Sequence, residues 1–457
     1  MVKPPPMGWA RGRARVATTL VVSACAFAWS GATSASPEDL FGYGARTSAM
    51  GATGVAHATG YESAFHNPAL ASTTRENKLT LGYTGAVFRL DAKGDGLPGR
   101  TSVSPARGAV IGAELPVPLG GVLARRVGVV MAFYEPTDVV VRGRVLYPEK
   151  TQFPMLDNRA QSITIRAGIG VDVGYGVRVG AGFAALAEVV GTVVAATDAT
   201  GRVGTRVEDQ LVATYAPVFG ATYDLPARGP ALWTAGLVYR GTLDARFAVV
   251  IDGTKLSSLQ IPLFNISGVA QYDPAQVAFE LARTLDLDTF AAQFVYKRWS
   301  SFPGIIEPTV VCNSGGAGAC GILPPAIDWR DTFAVRVGGD HGVPIARGAE
   351  FHARGGVFYE MSPLPSQLPT AQAFDAAAKG AVDVPVRYFD SDRLVFTAGA
   401  GLRLKRPLPP IDIDFFAQYH VLLPRTIRSA EASGTILSEG EASGHVLVFG
   451  LNAGVRF

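Results

Sequence analysis

Apolar and polar positions alternate with a period of two along much of this chain. Ile163, Ile165, Ala167, Ile169 and Val171 fall on one side of an extended segment, and Thr164, Arg166, Gly168, Gly170 and Asp172 on the other. Val127, Val129, Met131 and Phe133 repeat the pattern, as do Leu394, Phe396, Ala398, Ala400, Leu402 and Leu404. It is clearest where Ile411, Ile413, Phe415, Ala417, Tyr419 and Val421 alternate with Asp412, Asp414, Phe416, Gln418 and His420. Such alternation marks strands with one apolar face. Strands are expected near 78–91, 106–116, 123–135, 160–172, 175–198, 202–214, 216–225, 231–251, 275–284, 289–299, 330–340, 349–361, 393–405, 411–422 and 445–457. The Pro-, Gly- and Ser-rich stretches 136–159, 252–274, 300–328, 362–392 and 423–444 are expected to be long extracellular connections.

Many such strands in one long chain predict an all-β fold, a closed antiparallel transmembrane barrel with a polar lumen and an apolar exterior. Single-chain bacterial barrels have even strand numbers, so one of the fifteen candidates is expected to be a loop or part of a long neighbour. Past the N-terminal region, no unbroken apolar run reaches the roughly 18 residues a membrane helix needs. The nearest rival, 179–197, carries Glu188 at its centre, which is expensive in lipid. Leu447, Phe449, Leu451, Ala453, Val455 and Phe457 share one face at the end of the chain. A last strand there can close on the first and leave no sheet edge.

The N-terminus alters the charge picture. Arg11, Arg13 and Arg15 precede an apolar stretch from Val16 to Trp29 and the small residues Thr33-Ser34-Ala35. That is the pattern of a secretory signal, residues 1–35, cleaved after Ala35; Val22-Ser23-Ala24-Cys25 offers lipidation at Cys25 as a lesser alternative. Four of the 41 basic residues and none of the 38 acidic ones lie in it, leaving 37 against 38. The mature chain is therefore nearly neutral, and nothing points to nucleic acid.

Between signal and first strand lies DLFGYGARTSAMGATGVAHATGYESAFHNPALA, Asp39 to Ala71. Thirteen of its 33 residues are Gly or Ala, yet Phe41, Tyr43, Met50, Val55, Tyr61, Phe65 and Leu70 recur through it and need burial. In a barrel the place for it is the lumen, as a hatch over 36–75 ahead of a barrel over 76–457. Gly42-Tyr43-Gly44-Ala45-Arg46, Met50-Gly51-Ala52, Gly54-Val55-Ala56 and Asn67-Pro68-Ala69 occur in that order. The series resembles the hatch of the FadL/TodX family, outer-membrane channels for fatty acids and other hydrophobic compounds. Tyr215-Ala216-Pro217, Ala235 to Arg240, Trp299-Ser300-Ser301-Phe302, Trp329-Arg330-Asp331-Thr332, Tyr359, Ser362-Pro363-Leu364-Pro365 and Asp390-Ser391-Asp392-Arg393 extend the resemblance over most of the mature chain. The stretch 366–389 departs from it. The resemblance implies fourteen strands, capture of a hydrophobic small molecule among the outer loops, movement of the hatch, and exit sideways through the wall. It implies no cofactor, metal or energy source.

The residues expected to bind or gate are Phe41, Tyr43, Arg46, Met50, Phe65, Asn67 and Pro68. Asn67-Pro68 should fix a bend where hatch meets wall. Phe416, Val446 and Val448 are apolar on nominal lumen faces; Arg46, Arg240 or Lys297 could meet a charged ligand end. Cys312 and Cys320, close together in an exported chain, are expected to form a local disulfide. The six histidines form no metal motif, and Ser443-Gly444-His445 is adjacency without triad geometry. Expected partners are a hydrophobic ligand, membrane lipid and the barrel assembly machinery, with the protein a monomer in the outer membrane. Two other functions share this fold: a structural or secretion-associated barrel without transport, and an outer-membrane lipid-modifying enzyme.

Overall fold

A computed structural model describes residues 37–137, 148–156, 163–197, 203–226, 229–255, 264–304, 322–323, 325–375 and 380–457. The segment expected to be a signal, Cys25, and the Cys312–Cys320 pair lie outside the described residues.

Fourteen strands form one closed antiparallel ring. They are β1 (Lys78–Lys93), β2 (Ala106–Pro116), β3 (Val127–Pro136), β4 (Thr164–Gly174), β5 (Val177–Thr197), β6 (Val203–Leu225), β7 (Leu232–Arg240), β8 (Gln276–Leu285), β9 (Asp288–Lys297), β10 (Thr332–Ala346), β11 (Ala349–Glu360), β12 (Arg393–Leu404), β13 (Ile411–Ala430) and β14 (Ile436–Arg456). Each pairs with the next in sequence, and β1 closes on β14 from Lys78↔Arg456 to Lys93↔Glu441. Closure leaves every barrel strand two neighbours, which is how a sheet satisfies its backbone groups in lipid.

The alternation resolves as expected. Leu81, Ile169, Phe219, Phe290, Phe415 and Leu451 are exposed on the outside, while Thr80, Gly170, Glu280, Lys297, Gln418 and His420 on neighbouring positions point to the buried interior. An apolar face of this extent, wrapped around the whole sheet, is matched to hydrocarbon rather than water. No helix among the described residues is long and apolar enough to cross a membrane. Connections such as 175–176, 286–287 and 347–348 are short at one end, and long ones occupy the other. In barrels of this kind the short turns are periplasmic.

One of the fifteen candidates is, as expected, part of a long neighbour, and two other expectations need correction. The two candidates 202–214 and 216–225 are one strand, β6, running through Pro217. Pro217 has no N–H for the ladder, and the β6–β7 pairing begins one residue later, at Val218↔Arg240. The candidate 231–251 is two strands: β7 stops at Arg240, and Leu243–Lys255 starts a hairpin with Phe264–Asp273, outside the ring. β7 therefore pairs directly with β8. The expected loops 252–274 and 423–444 are largely strand. Within the stretch 366–389, Ala371–Asp375 pairs with Gly380–Val384 and with Ile322–Leu323, so the outer connections 298–331 and 361–392 join in a small sheet.

Candidate functional site: the lumen

Residues 37–77 fold as short helical pieces: α1 (Pro37–Phe41), α2 (Ala45–Ala49), α3 (Ser63–His66) and 3-10 turns at Gly60–Glu62 and Pro68–Thr73. None is long enough to be stable alone; what holds them is the wall. Gly42 and Gly44 adopt φ of 82° and 89°, left-handed values that let the chain reverse between α1 and α2.

Wall and segment meet through two devices. One is polar. Glu280 of β8 accepts hydrogen bonds from the N–H groups of Gly54, Val55 and Ala56 at 2.6, 2.9 and 2.9 Å. Gln418 of β13 donates to the carbonyls of Phe41 and Ser48, and Arg336 of β10 to that of Ala52. Thr397 of β12 donates to the carbonyl of Ala49 and accepts from the N–H of Gly51. The other device is missing side chains. A β-carbon at Gly170 would stand 2.5 Å from the Pro68 carbonyl oxygen, and one at Gly236 2.5 Å from that of Val55. At Gly338 it would overlap the Met50 carbonyl, and at Gly220 the Asn67 side chain. Glycines on lumen faces thus mark where segment backbone lies flat against strand backbone.

The expected site residues separate into distinct environments. Phe41 is buried beside Phe88 of β1 and His420 of β13. Tyr43 and Phe65 pack with Tyr61 inside the segment, and the guanidinium of Arg240 lies 4.2 Å from the Phe65 ring centre. Met50 is fully buried against β10. Arg46 pairs with Asp340 at 3.1 Å and donates to the His57 carbonyl at 2.9 Å. Asn67 accepts from the Ala69 N–H and donates to the carbonyls of Val55 and Ala221, tying two parts of the segment to β6, with Pro68 opening the next turn. The three candidate cations are all engaged by protein: Arg46 as above, Arg240 by the Phe65 carbonyl and Gln276, and Lys297 by Asp39 at 2.8 Å and Glu360 at 2.6 Å.

Burial also shapes the segment's titratable groups. Desolvation, helped by the Arg46 charge, pulls His57 down to about 3 and keeps it neutral. Desolvation outweighs Arg46 at Glu62 and pushes that carboxyl up to about 7. Among the described residues, no group of three or more His, Cys, Asp or Glu is arranged to hold a metal.

Above the segment the lumen changes character. One apolar cluster contains Phe153, Met155, Trp299, Trp329, Leu364, Tyr388 and Phe389 from the outer connections, then Leu90, Phe416, Leu422, Val446 and Val448 from the wall, and finally Leu40 and Phe41 from α1. Phe302 is its aromatic hub, 4.9 Å from both Tyr272 and Trp329 and 5.7 Å from Trp299 between ring centres. This column was only partly readable beforehand: Phe416, Val446 and Val448 stood out as apolar among polar lumen positions. The loop aromatics did not, because a loop offers no periodicity from which to read burial.

A repeated clip holds those loops. Asp331, just before β10, accepts from the Tyr296 hydroxyl at 2.5 Å and the Ser300 N–H at 2.8 Å, closing the base of 298–331. Asp392, just before β12, does the same with the Tyr359 hydroxyl and the Ser362 N–H, closing 361–392. The residue after each tyrosine, Lys297 and Glu360, points inward, and the two pair with each other.

No protein-family model matches the sequence, and no curated protein matches it. Solved structures do. The crystal structure of a Pseudomonas aeruginosa FadL homologue superposes with a TM-score of 0.59 at 15% identity, covering 90% of this chain and 98% of that one. That of the P. putida toluene transporter TodX superposes at 0.54 and 14%, covering 92% and 99%. At such identities the likeness is one of fold, and that fold, the FadL/TodX-type integral barrel of the outer-membrane kind, is the one this chain adopts.

Proposed function

We propose that the protein is an outer-membrane channel for passive uptake of hydrophobic compounds and belongs with the FadL/TodX channels in function as well as fold. The observation that carries this reading is the apolar column, a single cluster of buried side chains that joins the outer connections to α1. A solute that must cross the polar outer layer gains about 0.8 kcal/mol per methylene by entering such a column. Trp299, Phe302 and Trp329 form the entry, and Phe41 stands at the inner end.

Straight passage from there is unfavourable. Below Phe41 lie Glu280 and the Arg46–Asp340–Arg354–Asp414 chain of ion pairs, where an apolar solute would lose its surroundings and separate paired charges. Displacement of residues 37–77 and exit through the wall into lipid avoids that cost. In this scheme Phe41 senses the solute, Arg46, Met50, Asn67 and Pro68 hold the resting position, and Tyr43 and Phe65 keep the segment rigid as it moves. No covalent step is involved.

Tryptophan quenching tests occupancy. In a Trp233→Phe background, Trp299 and Trp329 are the fluorophores among residues 36–457. A brominated hydrocarbon should quench both saturably. Linear quenching equal to that of free tryptophan in the same lipid contradicts entry into the column.

A further inference from the structure

His420 is fully buried at the inner end of the apolar column, and one of its ring nitrogens has no partner among the described residues. Its side chain projects from β13 into the lumen two residues after Gln418, and its exposure is 0%. The ring meets Phe41 edge-on at 5.7 Å and Phe358 at 5.9 Å between centres, with Val395 and Val446 at the paired positions of β12 and β14. Nε2 lies 3.0 Å from Gln418 Oε1. Nδ1 has no hydrogen-bond partner among the described residues.

The hydrogen-bond chain fixes which nitrogen carries the proton. The Gln418 amide nitrogen donates to two carbonyl oxygens, those of Phe41 at 2.8 Å and Ser48 at 2.9 Å. A flipped amide would set its oxygen against both carbonyls, so Oε1 is the atom that faces His420. Oε1 can only accept, and His420 therefore donates from Nε2. In the neutral imidazole Nδ1 is then a bare lone pair, an acceptor among Phe41, Phe358, Val395 and Val446, with the Arg393 and Glu360 charges near enough to act on the ring. A buried acceptor left unsatisfied costs about 1–3 kcal/mol.

Resting on the channel reading above, we propose that His420 Nδ1 accepts a hydrogen bond from the ligand. The column is thereby suited to neutral hydrophobic molecules bearing one hydroxyl, such as phenols and alcohols. A carboxylate brings only lone pairs to Nδ1 and is disfavoured; a plain hydrocarbon leaves the acceptor unsatisfied. The same chain connects the bound hydroxyl to Phe41, because Gln418 holds both His420 and the α1 backbone.

The test compares 4-methylphenol, 4-methylanisole and 4-methylbenzoate, matched in size but offering a donor, no donor and a charge. Binding to the purified protein in nanodiscs, over empty discs, should favour the phenol about fivefold over the anisole, with the benzoate weakest. In His420→Phe the phenol's advantage should vanish while anisole binding persists, which shows the variant still folded. Independently, in histidine-labelled protein the 15N resonance of His420 Nδ1 should shift with the phenol and not with the anisole. Equal binding of phenol and anisole to the unmodified protein overturns this inference alone. So does an Nδ1 resonance that shows a water-bonded nitrogen unmoved by the phenol. Binding of none of the three overturns the channel reading together with it.

Discussion

Gly220 illustrates what a single position can and cannot disclose. In sequence it is one glycine within a strand candidate, with nothing to say what it packs against. In the fold, a β-carbon there would collide with the Asn67 side chain where the N-terminal segment meets β6. The identity of the crowding partner depends on how residues 37–77 fold, and their short helical pieces carry no period to read. Glu280 was hidden for the same reason: one acid among alternating residues does not announce three backbone N–H groups converging on it. Gly220→Val should overpack this joint at a cost of about 1–3 kcal/mol. Exchange of the Val55 and Ala69 amides should quicken at least tenfold while the barrel stays folded; unchanged exchange would show that the joint is loose. Glu62 sets a pH dependence. Its carboxyl titrates near 4.5 in solvent and near 7 when docked, raised by burial ahead of the opposing Arg46 charge. The docked state favours the protonated form. Docking is therefore strongest below 4.5, weakens as pH rises through 7, and is level above. Hydrogen exchange across residues 54–69, corrected for intrinsic rates, should show that profile, and Glu62→Gln should flatten it.

At the scale of elements, period-two patterning located all fourteen barrel strands, because each has one face in lipid. It failed where that rule lapses. The run 231–251 keeps a strand-like composition across Gly241 and Thr242, yet the chain leaves the ring there, and the following hairpin arm pairs in parallel with β5. The Asp331 and Asp392 clips were visible as motif residues but not as clips, since the tyrosines they bind lie 35 and 33 residues earlier. Asp331→Ala removes the two hydrogen bonds that close the base of its connection. The base of 298–331 should loosen and proteolysis within that connection should accelerate, while the barrel keeps its heat-modifiable migration. Cleavage at the parent rate would mean that the pairing of Ile322–Leu323 with Ala371–Asp375 holds the loop instead.

For the whole molecule, two solvents decide the design. Lipid outside demands an apolar exterior and a closed ladder, and both follow from sequence alternation alone. Inside, wall residues grip residues 37–77 through hydrogen bonds and ion pairs, and an apolar column is assembled from loops, wall and α1. The central claim is that hydrophobic molecules travel through this column. Flux of a radiolabelled hydrophobic compound into proteoliposomes, compared between the parent protein and Val446→Asp, tests it most directly. Val446 is wholly buried in the column, so an aspartate there puts a charge in the path and leaves the lipid face untouched. The account predicts that the parent raises flux above protein-free vesicles and that Val446→Asp, still heat-modifiable and correctly inserted, returns it to the protein-free level. Flux that is equal with and without the protein, or undiminished in Val446→Asp, would contradict it.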